Sequence, residues 1–175
     1  MNPKVKVVIL NWNGEKLLKR CLDSVTNINY SNYQIIVIDN GSKDGSLDLI
    51  SKFYPKVELF KLDCNYGFSR GYNYYFKQIP KEDSGFILIL NNDTYVDSNI
   101  IHNFNFARKF YGDHNLYGAK IFYQNKPDQL WYAGGVINLS RGIIRHRGIR
   151  KQNSEKYSNP YLTDYITGCC LFTSM

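Results

Sequence analysis

The sequence predicts an α/β fold: a mainly parallel sheet flanked by helices, with a mixed or antiparallel extension after about residue 115. Three observations predict it. Short apolar runs recur along the first hundred residues, and segments of helical periodicity separate them. Strand–helix alternation at this spacing builds right-handed βαβ units and so parallel strands. Beyond residue 115, short tyrosine- and glycine-containing segments (117–124 and 130–139) follow one another without helices between them, which fits further strands or hairpins.

The first run is Val5–Asn11 (VKVVILN), nearly continuous in apolar and β-branched residues, as a strand covered on both faces should be. Asn13 is placed to cap the helix that follows. There Leu18, Cys21, Leu22, Val25 and Ile28 fall on one helical stripe, while Glu15, Lys16, Lys19 and Arg20 face outward. The second strand, Gln34–Asp39 (QIIVID), breaks at Asn40-Gly41-Ser42. A helix follows, with Leu47, Ile50 and either Phe53 or Tyr54 turned inward. Lys56–Leu62 alternates, Val57 and Leu59 against Glu58, which suits an edge strand. The turn NYGFSRGYN (65–73) opens a helix that ends before Pro80. The fourth strand, Phe86–Leu90, stops at Asn91-Asn92-Asp93. Residues 141–160 are polar, basic and rich in turn formers, and read as a loop.

The chain's 175 residues, 43% of them hydrophobic and 15% aromatic, suffice for one domain over 1–175 with a real core and are too few for two. That aromatic content argues against intrinsic disorder. A membrane helix needs about 20 apolar residues. The longest runs, Val7–Leu10 and Phe86–Leu90, fall far short, and mean hydropathy is −0.40. Met-Asn-Pro-Lys-Val-Lys leads into the first strand with no apolar signal core, so a cytoplasmic location is expected. Cysteines 21, 64, 169 and 170 show no Cys-x-x-Cys spacing and read as free thiols, with Cys169 and Cys170 as small buried hydrophobes. His102, His114 and His146 lack ligand-like spacing and read as surface or loop residues.

Net charge is +7, and five basic residues with no acid lie between Arg141 and Lys151 (RGIIRHRGIRK). The rest of the chain is near neutral, which argues against a nucleic-acid partner. The segment has no amphipathic helical pattern, so it reads as a solvated loop. At most it makes a weak peripheral contact with anionic lipid.

Ligands of open parallel sheets bind at the carboxyl ends of strands, near a switch in strand order. Three of the four predicted strands end in polar groups: Asn11-Trp12-Asn13, Asp39-Asn40-Gly41-Ser42 and Asn91-Asn92-Asp93. Any one of these ends is explained by strand termination and helix capping. Three on one rim point to a site. The first turn, NWNGEK, lacks G-x-G-x-x-G, and no G-x-x-x-x-G-K-[ST] occurs, so phosphate binding has to use a metal and side chains. Asp93 is the natural ligand for Mg²⁺ or Mn²⁺, which take one or two protein carboxylates and complete their shell with diphosphate oxygens and water. Arg70 lies just after Gly67, where a helix begins, within reach of a diphosphate.

VVILNWNGEKLLKRCLDSV, IIVIDNGSKDGS, NYGFSRGYN and ILILNNDTYVD, in that order, resemble family 2 glycosyltransferases of the Rossmann-like GT-A fold. Their rhamnosyltransferase-like branch, in bacterial surface-polysaccharide synthesis, is the most similar. The resemblance is strong from residue 4 to about 100 and continues through WYAGG (131–135) and DYITGCCLF (164–172). It implies a nucleotide-binding half over 1–100 and the start of an acceptor half over 101–175. Leu10, Asn11, Trp12 and Asn13 would line the nucleobase pocket, and Asp39 would accept a hydrogen bond from the base N3–H or the ribose. Asn65, Gly67 and Arg70 would lie along the ribose and diphosphate. Asn91, Asn92 and Asp93 stand at the family's D-x-D position, with Asp93 on the metal. Asn91 replaces the first aspartate there, which implies lower metal affinity without nucleotide.

The implied activity is metal-assisted inverting transfer of a sugar from a UDP- or dTDP-sugar to a glycan or lipid-linked acceptor. Its setting would be the cytoplasm, at the inner face of the plasma membrane. In such a reaction the carboxylate of an acidic side chain takes the acceptor proton as general base, while metal and Arg stabilise the departing diphosphate. The resemblance places that base in an acidic E-D-type motif beyond Met175, with Asp164 in a supporting position only. The expectation is therefore a donor-binding N-terminal portion that is inactive alone. The alternative is a non-catalytic nucleotide-binding remnant or scaffold that retains only the donor half.

Overall fold

The computed structural model describes residues 2–80 and 82–175. Eight elements alternate over the first part: β1 (Val5–Asn11), α1 (Glu15–Thr26), β2 (Tyr33–Asn40), α2 (Ser46–Phe53), β3 (Glu58–Leu62), α3 (Phe68–Phe76), β4 (Phe86–Asn91) and α4 (Ile100–Tyr111). Short strands follow: β5 (Tyr117–Gly118), β6 (Ile121–Tyr123), β7 (Lys126–Tyr132), β8 (Gly135–Asn138), β9 (Ile143–His146) and β10 (Cys170–Ser174).

The central sheet has the order β3-β2-β1-β4-β10-β5. Strands β3, β2, β1 and β4 pair in parallel, while β10 runs antiparallel to both β4 and β5. β6–β7 and β8–β9 form separate antiparallel pairs. This is the α/β architecture the sequence predicts, extension included. The chain moves outward from β1 through β2 to β3, then crosses back to place β4 on the other side of β1. The strand order therefore switches between β1 and β4, where such sheets open for ligands.

Right-handed crossovers put helices on opposite faces when the direction of winding reverses. Accordingly α1, α2 and α4 cover one face through Leu18, Leu22, Val25, Ile50, Ile101 and Phe104. α3 covers the other with Tyr72 and Tyr75 against Val8, Ile36 and Ile38. The stripe read along α1 is the buried one. Phe172 of β10 stacks between Phe86 of β4 (centroids 5.2 Å) and Phe104 of α4 (4.9 Å), joining the extension to the parallel sheet. At the amino ends of the strands, Lys6 is buried and its charge is met by Asp83 at 3.1 Å. Hydrogen bonds from Lys4 and Lys6 hold the Asp83 carboxyl below the usual carboxylate range.

Several local expectations are corrected. β3 begins at Glu58 rather than Lys56, although Val57 is buried. Tyr54, not Phe53, turns inward, because its phenol donates to Asp23 and to the Lys19 carbonyl of α1. Leu49, not Leu47, packs on the core of that face. Asn13 does not cap α1; Gly14 is the N-cap residue, and Asn13 has φ +49° and accepts from Lys43 N at 2.8 Å. Residues 141–151 are not a plain loop. Ile143–His146 pairs with Gly135–Asn138, and the Arg147 guanidinium lies over Tyr157 and Tyr161. His146 belongs to that hairpin, edge-on to Trp131. Cys170 is buried, whereas Cys169 is only half-buried.

Candidate functional site

Each strand end contributes through a different local cause. β1 carries its register into Asn11, whose side chain is fully buried between β2 and β4. Its amide Nδ2 donates to Asp39 Oδ1 at 3.3 Å and to Ser42 Oγ at 3.2 Å, and its Oδ1 accepts from Asn92 Nδ2 at 2.8 Å. Asp39 accepts again from Ser42 N at 2.9 Å, and Ser42 Oγ accepts from Asn13 N at 2.9 Å. A hydrogen-bonded line thus runs from the end of β2 through β1 to the end of β4. The line needs Gly14, because a Cβ there would overlap Asn92 Nδ2 and Asn11 Oδ1.

Buried polar groups are tolerated when their partners are supplied. Asp39, 2% exposed, has both carboxylate oxygens engaged. Asn40 is equally buried and ties β2 to the loop before α3: its Nδ2 donates to Asn65 Oδ1 (2.9 Å) and Gly67 O (3.2 Å), and its Oδ1 accepts from Tyr66 N (3.0 Å). Gly67 takes φ +75°, a conformation that costs glycine little, and turns the chain into α3. Arg70 follows on the first turn of α3, exposed, with its guanidinium 5.2 Å from the Tyr66 ring centroid. Trp12 is 54% exposed and presents its ring at the same rim.

Tyr72 is wedged between the ends of β1 and β4. Its hydroxyl accepts from Leu10 N at 3.3 Å and donates to Leu90 O at 3.1 Å. Next to it, Asn91 is pinned by sulfur: Cys21 Sγ donates to its carbonyl at 3.6 Å, and its Nδ2 donates to Cys169 Sγ at 3.5 Å. Burial first, then the Asp93 charge, push the Cys21 thiol up to about 12, so it remains a protonated donor. Asp93 itself is exposed at the far end of the line.

Among the described residues no group of three or more His, Cys, Asp or Glu side chains converges on a metal-sized space. One free carboxylate beside asparagine amides is a hard-oxygen donor set. It fits Mg²⁺ or Mn²⁺ when ligand oxygens fill the remaining positions, and it does not fit a metal held by protein alone. A cleft of about 610 Å³ lies elsewhere, lined by residues including Tyr123, Lys126 and Arg150, and its lining has no carboxylate or thiol.

The structure brings Asn11, Asn13, Asp39 and Asn92 into one network, and Asn65 with Gly67 into a second joined to it through β2. Asp93 and Arg70 stand outside both networks. Asp164 holds the β8–β9 hairpin instead, accepting from Ile137 N at 2.8 Å. The sequence places Ser42 and Asn40 at a polar strand end but assigns no role in the site to them or to Gly14. The Asn40-Gly41-Ser42 strand break was the available signal for two of them.

The sequence model described as "Glycosyl transferase family 2" matches residues 6–173. A poly(ribitol-phosphate) beta-glucosyltransferase of Bacillus spizizenii is 29% identical over 119 residues, covering 65% of this chain and 18% of that protein. The crystal structure of S. aureus TarS 1–349 in complex with UDP superposes with a TM-score of 0.57 at 22% identity, over 67% of this chain and 35% of that one. A mannosyltransferase from Pyrobaculum calidifontis, solved with GDP-Man and Mn²⁺, gives 0.57 at 17% identity, over 70% and 36%. These superpositions establish the GT-A architecture. The chain spans 22%, 18% and 47% of three curated relatives it matches.

Proposed function

The chain belongs to glycosyl transferase family 2, and on that premise we propose that residues 1–100 bind the nucleotide of a UDP- or dTDP-sugar and 101–175 begin the acceptor side. The observation that carries this reading is the hydrogen-bonded line from Asp39 through Asn11 to Asn92. It sits at the switch in strand order, with Asp93 exposed at one end and Trp12 beside it. A fold needs no buried Asp–Asn–Asn line at a strand terminus, whereas a ligand rim needs fixed donors and acceptors.

In this reading Trp12 and Leu10 give the base its apolar surface, and Asp39 accepts from its ring N–H. Asn65, Gly67 and Arg70 run along the ribose and diphosphate, where the guanidinium matches phosphate oxygens. Asn91 and Asn92 would stand on the nucleotide, and Asp93 would hold Mg²⁺ or Mn²⁺, which when bound neutralises charge on the leaving diphosphate. The structurally similar P. calidifontis mannosyltransferase was solved with Mn²⁺. Inverting transfer to a glycan or lipid-linked acceptor in surface-polysaccharide synthesis is the reaction we assign. We assign no general base within residues 1–175, and the chain alone is expected to bind donor without transferring sugar. No helix among the described residues is long and apolar enough to cross a membrane. We place the protein at the cytoplasmic face of the plasma membrane, with residues 141–151 making a weak contact with anionic lipid.

A thermal-shift panel of UDP, dTDP, GDP and CDP with and without Mn²⁺ tests the reading. A shift specific to UDP or dTDP, lost with EDTA and in Asp93→Ala, is expected. No shift with any nucleotide would overturn it.

A further inference from the structure

We propose that the Ser42 hydroxyl is a base-reading donor: beside the Asp39 carboxylate, it selects bases that present a carbonyl next to a ring N–H. Uracil, thymine and guanine have that edge. Cytosine and adenine present an amino group next to a bare ring nitrogen. The proposal rests on the reading that this rim holds the donor nucleotide.

Hydrogen-bond capacity fixes the role of this hydroxyl. A serine hydroxyl has one proton to give and two lone pairs to fill. Ser42 Oγ accepts from Asn13 N at 2.9 Å and from Asn11 Nδ2 at 3.2 Å, so both lone pairs are taken. Its proton is left to donate, directed away from those two groups. The roles cannot be exchanged by turning over the Asn11 amide. That amide donates to Asp39 Oδ1 and accepts from Asn92 Nδ2. Reversed, it would set carbonyl oxygen against carboxylate and NH₂ against NH₂. The donor character of Ser42 is thus imposed from β1 and β4, through a residue with no solvent exposure.

Position follows from the backbone. Ser42 N donates to Asp39 Oδ2 at 2.9 Å, which anchors residue 42 beside the carboxylate. Asp39 is 2% exposed while Ser42 is half-buried, so residue 42 is the more open of the two. Each Asp39 oxygen accepts one hydrogen bond and has a lone pair left. An acceptor with capacity to spare and an obligate donor therefore stand next to each other. A ring N–H beside a carbonyl satisfies both. Cytosine would set its N3 lone pair against the carboxylate and its amino hydrogens against the hydroxyl proton. Sites that leave buried polar groups unpaired by the wrong ligand discriminate strongly.

Isothermal titration of the full chain with UDP, GDP, CDP and ADP in Mn²⁺, for wild type, Ser42→Ala and Ser42→Thr, tests this. Wild type should bind UDP more tightly than CDP by tenfold or more. Ser42→Ala should weaken UDP about tenfold, the scale of one hydrogen bond, and leave CDP nearly unchanged. Ser42→Thr, which keeps the hydroxyl, should restore the preference. Should the alanine variant not fold, Ser42→Cys, a poor donor of similar shape, gives the same readout. Equal losses for UDP and CDP in Ser42→Ala, or an unchanged ratio, would overturn the proposal and leave the nucleotide site standing. Failure of the wild type to bind any of the four would instead remove the donor-site reading beneath it.

Discussion

At the carboxyl ends of β1, β2 and β4, the polar residues Asn11, Asp39 and Asn40 are buried, and each of their side-chain oxygen and nitrogen atoms has at least one hydrogen-bond partner. In the β8–β9 hairpin the apolar residues Leu139 and Ile144 are 89% and 70% exposed. Each region inverts the usual placement of its residue type, and the two inversions have different consequences. Polar groups brought inside a rim are rigid, because each must keep its partners or lose stability. Apolar side chains left outside a hairpin have no packing to lose. They stand next to exposed Arg141 and Arg145, a combination suited to a surface that is itself apolar and anionic. The rim is therefore expected to be intolerant of substitution, and the hairpin tolerant in stability but sensitive in association.

The largest effect should come from breaking the join that β10 makes between the extension and the parallel sheet carrying the rim. Phe172→Ala removes the ring stacked between Phe86 and Phe104, a loss of about 3–5 kcal/mol, read as a fall in melting temperature of roughly ten degrees. Because Asn91 N donates to Cys169 O at 3.1 Å, nucleotide binding should weaken with it. A melting temperature within a degree or two of wild type would mean that the extension folds independently of the rim.

The second effect tests the comparison side by side. Asn11→Ala strands Asp39 Oδ1 and Asn92 Nδ2, a cost of about 1–3 kcal/mol, whereas Ile144→Ser should change stability by less than about 0.5 kcal/mol. Chemical denaturation of both variants gives the answer, and similar losses would erase the contrast between rim and hairpin.

The smallest effect concerns association. Co-sedimentation with anionic vesicles should fall when Arg145 and Arg150 are both changed to Gln, by about 1 kcal/mol for each charge removed near the surface. Arg147 is a poor choice for that test. Its guanidinium donates to the Ala133 and Lys156 carbonyls, so its loss would disturb the hairpin itself. Binding to vesicles that survives the double change would reject the lipid contact.

Much of the parallel half was legible along the chain. The α1 stripe of Leu18, Cys21, Leu22 and Val25, the continuous apolar strands, and the polar strand ends all follow from backbone geometry, which sends side chains to alternating faces at fixed periods. The hairpin at 141–151 was not legible, because Arg, Gly and His carry no period that distinguishes a short exposed strand from a turn. Asn13 was misread as a cap, because its side chain is drawn to Lys43 N in a loop thirty positions away.

The amino-acid sequence by itself determined that strands would alternate with helices and that Asn, Asp and Ser would collect at the strand ends. Both are consequences of local periodicity and turn chemistry. Only the tertiary structure decided which of those polar groups meet. Asn11 bonds Asn92, 81 positions away, because the chain crosses back from β3 to lay β4 against β1. Ser42 is left with a proton to give only because two backbone-distant partners fill its lone pairs. Hydrogen-bond capacity belongs to each residue, but how it is used depends on strand order.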